Sequence, residues 1–160
     1  MKKIDALDTQ ILNLLIQDAR LSYQDIADQC SLSRAAVHQR IRRLIERGII
    51  IGSGFHVNYS KLGLKTFTYI GIGLEKGSLY NSVCAELEKI SEITECNFTT
   101  GNYNMLIKLY VRDNDHLMQI LNDQIQVIPG VRTTETLISL KQSFNRPYLL
   151  KQNNEEEEEE

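Results

Sequence analysis

The sequence predicts an α+β protein with two parts, a three-helix unit with a short hairpin and a four-stranded sheet that carries two helices. Apolar residues recur at helical spacing up to Arg47 and alternate at strand spacing from Thr66 onward. In the second part the order strand, helix, strand occurs twice. The change in spacing places a boundary at residues 58–64, so we expect domains at residues 1–64 and 65–150.

Length and composition limit what the chain can be. Its 160 residues are 42% hydrophobic, which is enough for one ordinary core or two small ones. No apolar run has the length of a membrane span, and Asp5 and Asp8 interrupt any signal-peptide core. Three cysteines without C-x-x-C spacing favour a reducing cytoplasm over a disulfide framework or a zinc site. We therefore expect a cytoplasmic, globular protein with no membrane partner.

Two helices are predicted before residue 31. The first is defined by apolar residues at helical spacing, namely Leu7, Ile11, Leu14 and Leu15. Asp8 is placed to cap its free N–H groups, and we expect it to end near Arg20. Ser22 and Asp25 match a capping box at the start of the second helix. The small apolar face of that helix consists of Ile26, Ala27 and Cys30.

A third helix is predicted to start after the N-cap Ser33 and to stop at Gly48. Its inward residues are predicted to be Val37, Ile41, Leu44 and Ile45. Between Ser33 and Arg47 the sequence carries five arginines, with Glu46 as the single acidic residue. Charge concentrated in this way is typical of a nucleic-acid binder. A plain three-helix bundle with a solvated charged face is the alternative.

Two short helices joined by a tight turn, the second rich in arginine, predict a helix-turn-helix whose second helix enters the major groove of DNA. Arg34, His38 and Arg42 form its outward row, although His38 could equally be solvated. Arginine can pair with guanine, glutamine with adenine, and alanine can touch a thymine methyl, whereas Arg43 is placed to meet phosphates. The candidate DNA contacts are Ser22, Tyr23, Ser33, Arg34, Ala35, His38, Gln39, Arg42 and Arg43.

A hairpin is predicted directly after the third helix. Apolar residues at 49–51 and 55–57 flank the small residues of Gly52-Ser53-Gly54. This hairpin would be a small wing or a connecting ribbon, and it would make the first domain a winged helix-turn-helix.

The second domain is predicted to be a ferredoxin-like βαββαβ sandwich. Alternation and helical spacing predict strands at 66–74, 93–100, 105–111 and 131–140, with helices at 79–90 and 115–127. In the strand at 105–111, Leu106 and Tyr110 make the second face apolar as well. We therefore expect another subunit to cover the open face of the sheet, giving at least a dimer.

The sequence offers little that argues for catalysis. Gly71-Ile72-Gly73 resembles the start of a dinucleotide-binding loop, but Lys76 stands where a third glycine is needed. The three histidines form no metal or triad pattern with the cysteines. We expect no cofactor, no metal and no enzymatic activity. The rival interpretation is an enzyme or a stand-alone amino-acid-binding module whose helices mediate protein contacts.

Two groups of sequence strings carry a family resemblance. The first comprises Leu7-Asp8-Thr9-Gln10-Ile11-Leu12, Asp18-Ala19-Arg20-Leu21-Ser22, Leu32-Ser33 and Gly48-Ile49-Ile50. The second comprises Thr100-Gly101-Asn102-Tyr103-Asn104-Met105-Leu106, Pro129-Gly130-Val131 and Thr134-Glu135-Thr136. With these strings, residues 4–149 resemble the Lrp/AsnC family, the leucine-responsive and asparagine-linked bacterial transcriptional regulators.

The resemblance implies a nucleoid-associated regulator of double-stranded DNA, in dimers that commonly assemble into octamers, with an amino-acid effector near Gly101. The effector-binding residues it implies are Gly101, Asn102, Tyr103, Asn104, Leu106, Thr134 and Thr136. A tight β-turn is the alternative role for Gly101. The family usually has an aspartate where this chain has Asn104, so a negative partner for an amino group is missing. Lys141 and Arg146 are the candidates for the lysine that the family often has after its last strand.

The acidic segment, defined as the six glutamates at 155–160, dominates the formal net charge of −3. Without these six, 15 acidic residues remain against 18 basic ones. We predict that residues 151–160 form an acidic disordered tail. Such a tail can repel DNA, mimic DNA or aid solubility, and we favour solubility.

Overall fold

The computed structural model describes residues 4–151 of the chain. Within that range the polypeptide forms two units, residues 4–56 together with 144–151, and residues 57–143. The boundaries at 1–64 and 65–150 predicted from the sequence therefore differ from this division, because residues 144–151 return to the first unit. Of the predicted tail at 151–160, all but Lys151 lies outside the described residues.

Three helices build the first unit: α1 (Ala6–Gln17), α2 (Tyr23–Cys30) and α3 (Arg34–Glu46). The capping box of α2 is confirmed, since Ser22 Oγ accepts from the Asp25 N–H and Asp25 Oδ2 accepts from the Ser22 N–H, both over 3.1 Å. Ser33 caps α3 as predicted. The cap of α1 is Asp5 rather than Asp8, and α1 ends at Gln17, before the predicted end at Arg20.

The apolar side chains predicted to face inward on α2 and α3 pack into one core, with a single exception. The buried residues of this core are Ile11, Ile26, Ala27, Cys30, Val37 and Ile41. Leu44 is also buried, but Ile45 is 53% exposed, so its predicted inward position is wrong. At 3.6 residues per turn Leu44 lies about 20° around the helix from Val37, whereas Ile45 lies about 80° away.

The predicted hairpin is wrong, because residues 49–58 contain no strand. Helix α3 ends at Glu46, and Gly48, two residues further on, has a left-handed φ of +67°. The N–H groups of Ile49 and Ile50 both donate to the carbonyl of Leu44. These donors finish the helix and are not free for a strand ladder. Ile51 and Phe55, at 94% and 81% exposure, pack against little within this chain.

The second unit is a four-stranded antiparallel sheet with two helices, as predicted. Its elements are β1 (Thr66–Leu74), α4 (Tyr80–Leu87), β2 (Ile93–Phe98), β3 (Met105–Val111), α5 (Asn114–Ile120) and β4 (Val131–Ser139). A 3-10 turn, Gly77–Leu79, precedes α4, and a π turn, Leu121–Ile125, extends α5. The strand order is β2-β3-β1-β4, which is the ferredoxin-like arrangement.

The two faces of the sheet differ in burial. The helix-covered face is completely buried at its centre, where it contributes Ile70, Ile72, Met105, Ile107 and Leu109. The open face carries half-buried Phe67, Tyr69, Leu106, Lys108 and Tyr110. Lys108 is the cation at the centre of this face, and its Nζ forms an ion pair with Glu95 Oε1 over 2.6 Å.

Candidate DNA-binding surface and effector loop

The predicted DNA contacts come together on one side of the first unit. All the predicted residues of α3 are exposed, namely Arg34, Ala35, His38, Gln39, Arg42 and Arg43. Tyr23, at the start of α2, lies beside them with its ring centroid 5.5 Å from that of His38. Because the opposite side of α3 is buried through Val37, Ile41 and Leu44, the exposed row has a fixed orientation.

The two predicted serine contacts serve the helix termini. Ser22 Oγ donates to Asp25 Oδ2 over 2.6 Å, and Ser33 Oγ accepts from the Ala36 N–H over 3.2 Å. The hydrogen bonds from Ser22 lower the pKa of the Asp25 carboxyl group. Both serines are exposed, so each cap also stands at the surface where a phosphate would approach a helix N-terminus.

Arg40 differs from the other arginines of α3. Its Nη1 donates to Asp5 Oδ2 over 2.6 Å and to Asp8 Oδ1 over 2.7 Å, and its side chain is 18% exposed. The hydrogen bonds to Asp5 and Asp8 raise the pKa of Arg40. Partial burial acts to raise the pKa of Asp5, but the hydrogen bonds from Arg40 and the Asp8 N–H outweigh it and lower that pKa. Arg40 therefore joins α3 to α1.

Arg42 also has an acidic partner, but a weaker one. Its Nε donates to Glu46 Oε1 over 2.8 Å, one helical turn further along α3. Both side chains are exposed, and pairs of this kind contribute at most a few tenths of a kcal/mol. The Arg42–Glu46 ion pair can therefore be broken at little cost in free energy.

The loop between β2 and β3 contains most of the effector residues implied by the resemblance. Gly101 has a φ of +106°, and no atom lies within 4 Å of a Cβ built there, so backbone conformation rather than space favours glycine. Asn104 fastens the loop to the end of β1. Its N–H donates to the Ile72 carbonyl over 2.9 Å, and its Oδ1 accepts from the Leu74 N–H over 2.8 Å.

Tyr103 folds over the open face of the sheet. A Cβ at Gly71 would lie 2.6 Å from its ring carbons, so the close approach of the ring favours glycine at this position. Register places Glu135 of β4 opposite Gly71, and a hydrogen bond between Glu135 and the Tyr103 hydroxyl raises the pKa of Tyr103. Glu135 was not among the predicted effector residues. Glu135 lies between Thr134 and Thr136 in β4, and strand alternation places its side chain on the opposite face of the sheet from theirs. This alternation is the sequence feature that could have identified it.

The remaining effector candidates lie on different faces of the sheet. Leu106 pairs with Gly71 on the open face, next to Tyr103. Thr134 and Thr136 pair with the buried Ile72 and Ile70 and so belong to the helix-covered face. Within one chain the structure therefore does not bring the whole predicted set together. Thr134 instead accepts from Gln126 Nε2 over 2.9 Å, at the rim of a shallow depression that Arg132 also lines.

Other chemistry finds little support in the described part of the chain. Residues 4–151 contain no group of three or more His, Cys, Asp or Glu side chains suited to a metal ion. Nor does any helix among them have the length and apolar character to cross a membrane. The Sγ atoms of Cys84 and Cys96 lie 4.0 Å apart. Burial of Cys96, and in addition its contact with Cys84, raises the pKa of Cys96 to about 12, so Cys96 stays a thiol at neutral pH.

A capped helix-turn-helix with an outward cationic row, joined to an antiparallel sheet domain with a glycine-containing loop, defines a DNA-binding regulator that has a ligand-binding domain. A family model for winged helix-turn-helix DNA-binding domains matches residues 4–51, and one for the Lrp/AsnC ligand binding domain matches residues 68–149. The chain belongs to the Lrp/AsnC family of transcriptional regulators, as the sequence resemblance indicated.

Similar proteins cover nearly all of the chain. The regulatory protein AsnC of Escherichia coli is 38% identical over 143 residues, which are 89% of this chain and 94% of that protein. An HTH-type transcriptional regulator of Pyrococcus furiosus is 33% identical over 86% of this chain and 90% of its own length.

Solved structures agree with these relatives. The structure of E. coli AsnC, at 36% identity, superposes with a TM-score of 0.87 and covers 93% of this chain and 100% of that one. The feast or famine regulatory protein from M. tuberculosis, complexed with L-methionine, is 26% identical with a TM-score of 0.86, covering 92% of this chain and 100% of that chain.

Proposed function

We propose that α3 binds in the major groove, where Arg34, Gln39 and Arg42 read bases and Arg43 contacts phosphate. The observation that carries this proposal is the exposed row of α3 set opposite a fully buried one. Ala35 lies near the helix N-terminus, where recognition helices meet base edges. His38 completes the outward row, and Ser22, Tyr23 and Ser33 border it at the two helix starts.

The regulator acts as a homodimer or a higher oligomer such as an octamer. Support comes from the open face of the sheet, where Phe67, Tyr69 and Tyr110 are half-buried around Lys108 and Leu137 is 46% exposed. A second copy seated on this face would bury these side chains. Paired recognition helices would then meet half-sites about one helical turn of DNA apart.

The effector is an amino acid or a related small metabolite, bound at the loop between β2 and β3. The L-methionine complex of the M. tuberculosis relative supports this class of ligand. Gly101 leaves backbone N–H groups open to a carboxylate, with Asn102 beside it. Glu135, next to Tyr103, supplies the carboxylate for an ammonium group that Asn104 lacks. Leu106 belongs to the same face, whereas Thr134 and Thr136 would contribute from another subunit.

The protein has no catalytic role and works in the cytoplasm on chromosomal DNA. The relatives named above are regulatory proteins, and the polar groups of the described loop are suited to holding a ligand. Effector binding must favour one assembly over another if it is to change DNA affinity, by a coupling of about 1–3 kcal/mol.

Two titrations test this function. Binding to duplex DNA should weaken with salt along a log-log slope of about −0.9 for each phosphate contacted. Titration with each free amino acid should change both the mass of the oligomer and the affinity for DNA for at least one of them. A salt-independent affinity contradicts DNA recognition by α3, and indifference to every amino acid contradicts the effector class.

A further inference from the structure

Asn13 of α1 fastens the last described residues to the DNA-binding unit. Its Nδ2 donates to the carbonyl of Leu150 over 2.9 Å, and its Oδ1 accepts from the Leu150 N–H over 2.8 Å. One side-chain amide thus satisfies both backbone groups of one residue, much as a neighbouring strand would. Both residues are partly buried. The chain at residue 150 therefore has a defined place on α1.

The acidic segment at 155–160 begins five residues beyond this anchor. An extended chain advances about 3.3–3.6 Å per residue, so these glutamates can reach roughly 16–36 Å from Leu150. Helix α3 lies within that reach. Arg40 of α3 contacts Asp8, and Asn13 follows Asp8 by five residues of α1, a rise of about 7.5 Å.

The exposed face of α3 has the charge that such a segment would meet. Arg34, Arg42 and Arg43 are exposed, and Arg42 already donates a hydrogen bond to a glutamate, Glu46. Glutamate carboxylates and DNA phosphates offer arginine the same kind of anionic oxygen. A short tether holds a competitor at millimolar effective concentration, far above the concentration of DNA in a binding assay.

We propose that the acidic segment docks on the exposed basic face of α3 and competes there with DNA phosphates. The protein then restrains its own DNA binding, and a target must displace the glutamates before it is bound. This inference rests on the DNA contacts proposed above for α3. It replaces the solubility role that composition alone favoured for the segment.

The test compares four variants with the wild-type protein on one fluorescent duplex of mixed sequence. The first replaces all six glutamates at 155–160 by glutamine, which removes charge but keeps length. Asn13→Ala and Leu150→Pro each break the anchor, from opposite sides, and leave the charge unchanged. Leu149→Pro is the matched control, because it adds the same ring without removing the Leu150 N–H. Leu150→Pro also tests the anchor if Asn13→Ala disturbs the fold of α1.

The expected results follow from occupancy. A competitor that covers the basic face for most of the time weakens apparent affinity by about three- to tenfold. The six-glutamine variant should therefore bind that much more tightly at about 50 mM salt, with the difference lost near about 500 mM. Asn13→Ala and Leu150→Pro should each show at least half of this gain in affinity, and Leu149→Pro should show none.

Two results overturn the inference. One is unchanged affinity in the six-glutamine variant. The other is a gain in that variant while Asn13→Ala and Leu150→Pro both bind like wild type, because general charge repulsion then explains the gain without docking. If no protein binds the duplex at low salt, wild type included, the proposed DNA-binding function fails instead.

Discussion

Nη1 of Arg40, near the middle of α3, donates to Oδ1 of Asp8 on α1 over 2.7 Å, and these side chains are only 18% and 13% exposed. One of the five arginines between Ser33 and Arg47 is thus committed to the fold. The same guanidinium also bonds Asp5, the residue that caps α1. The orientation of α3 on α1 therefore depends partly on a charge contact.

Arg40→Ala should lower the free energy of unfolding by about 1–3 kcal/mol, because it leaves two carboxylates without their shared donor. It should leave the salt dependence of DNA binding unchanged, since Arg40 contacts no phosphate. Arg43→Ala is the control: it should reduce the log-log salt slope by about one and leave stability within about 0.5 kcal/mol. Urea denaturation and a salt series of binding isotherms measure both effects. A reduced slope in Arg40→Ala would contradict the assignment.

The Asp5 contact should make stability depend on acid pH. The folded-state pKa of Asp5 lies below its unfolded value, which is about 4. The contribution of Asp5 to the free energy of unfolding is therefore fully present above that unfolded pKa. That contribution is lost as the pH falls through the folded pKa. Asp5→Asn should therefore be less stable than wild type at neutral pH and approach it in strong acid. Denaturation from pH 7 downward checks this, and a stability gap that widens on acidification would refute it.

Gly71 and Tyr103 should be energetically coupled. Gly71→Ala places a methyl group within 2.6 Å of the Tyr103 ring, which must move away, and should cost about 1–3 kcal/mol. In a Tyr103→Ala background the same change should cost much less, because the ring is gone. A double-mutant cycle measured by thermal or urea unfolding gives the coupling. Equal costs in the two backgrounds would show that the ring does not restrict position 71.

Asn104 should tolerate aspartate but not leucine. Asn104→Asp keeps an oxygen that accepts from the Leu74 N–H, whereas Asn104→Leu leaves that donor unpaired. The loss should lower the free energy of unfolding of Asn104→Leu by about 1–2 kcal/mol. Aspartate also restores the carboxylate that the family usually has at this position, so an effector with an ammonium group should bind more tightly to Asn104→Asp. Calorimetry with amino acids and unfolding curves measure the two effects. Equal stability of the two variants would mean that the Leu74 contact contributes nothing.

Features set by neighbours along the chain were predictable from the sequence. The caps at Ser22 and Ser33 follow from local hydrogen-bonding chemistry, and the four strands follow from alternation that register preserves. The hairpin prediction is wrong because the N–H groups of Ile49 and Ile50 complete α3 instead. The composition of this segment does not distinguish the two outcomes.

Contacts between distant residues were not predictable in this way. The partners of Arg40, Asp5 and Asp8, lie 35 and 32 residues away, so its ion pairs with them could not be predicted from the charge pattern. Leu106 and Thr134 lie on opposite faces of the sheet. This follows only from the pairing of β1 with β3 on one side and with β4 on the other. Glu135 was missed for the same reason.

The proposed function depends most on α3 reading DNA with its exposed row, and a selection experiment measures base preference at each position of the bound site. Wild type, Arg34→Ala and Arg43→Ala are each used to select bound duplexes from a randomised pool, and the base preference at every position is compared. We predict that Arg34→Ala loses preference at one position and costs about 1–3 kcal/mol on the selected site, while Arg43→Ala weakens all sequences alike. Unchanged preferences in Arg34→Ala, or binding by wild type without any preference, would contradict the reading of bases by α3.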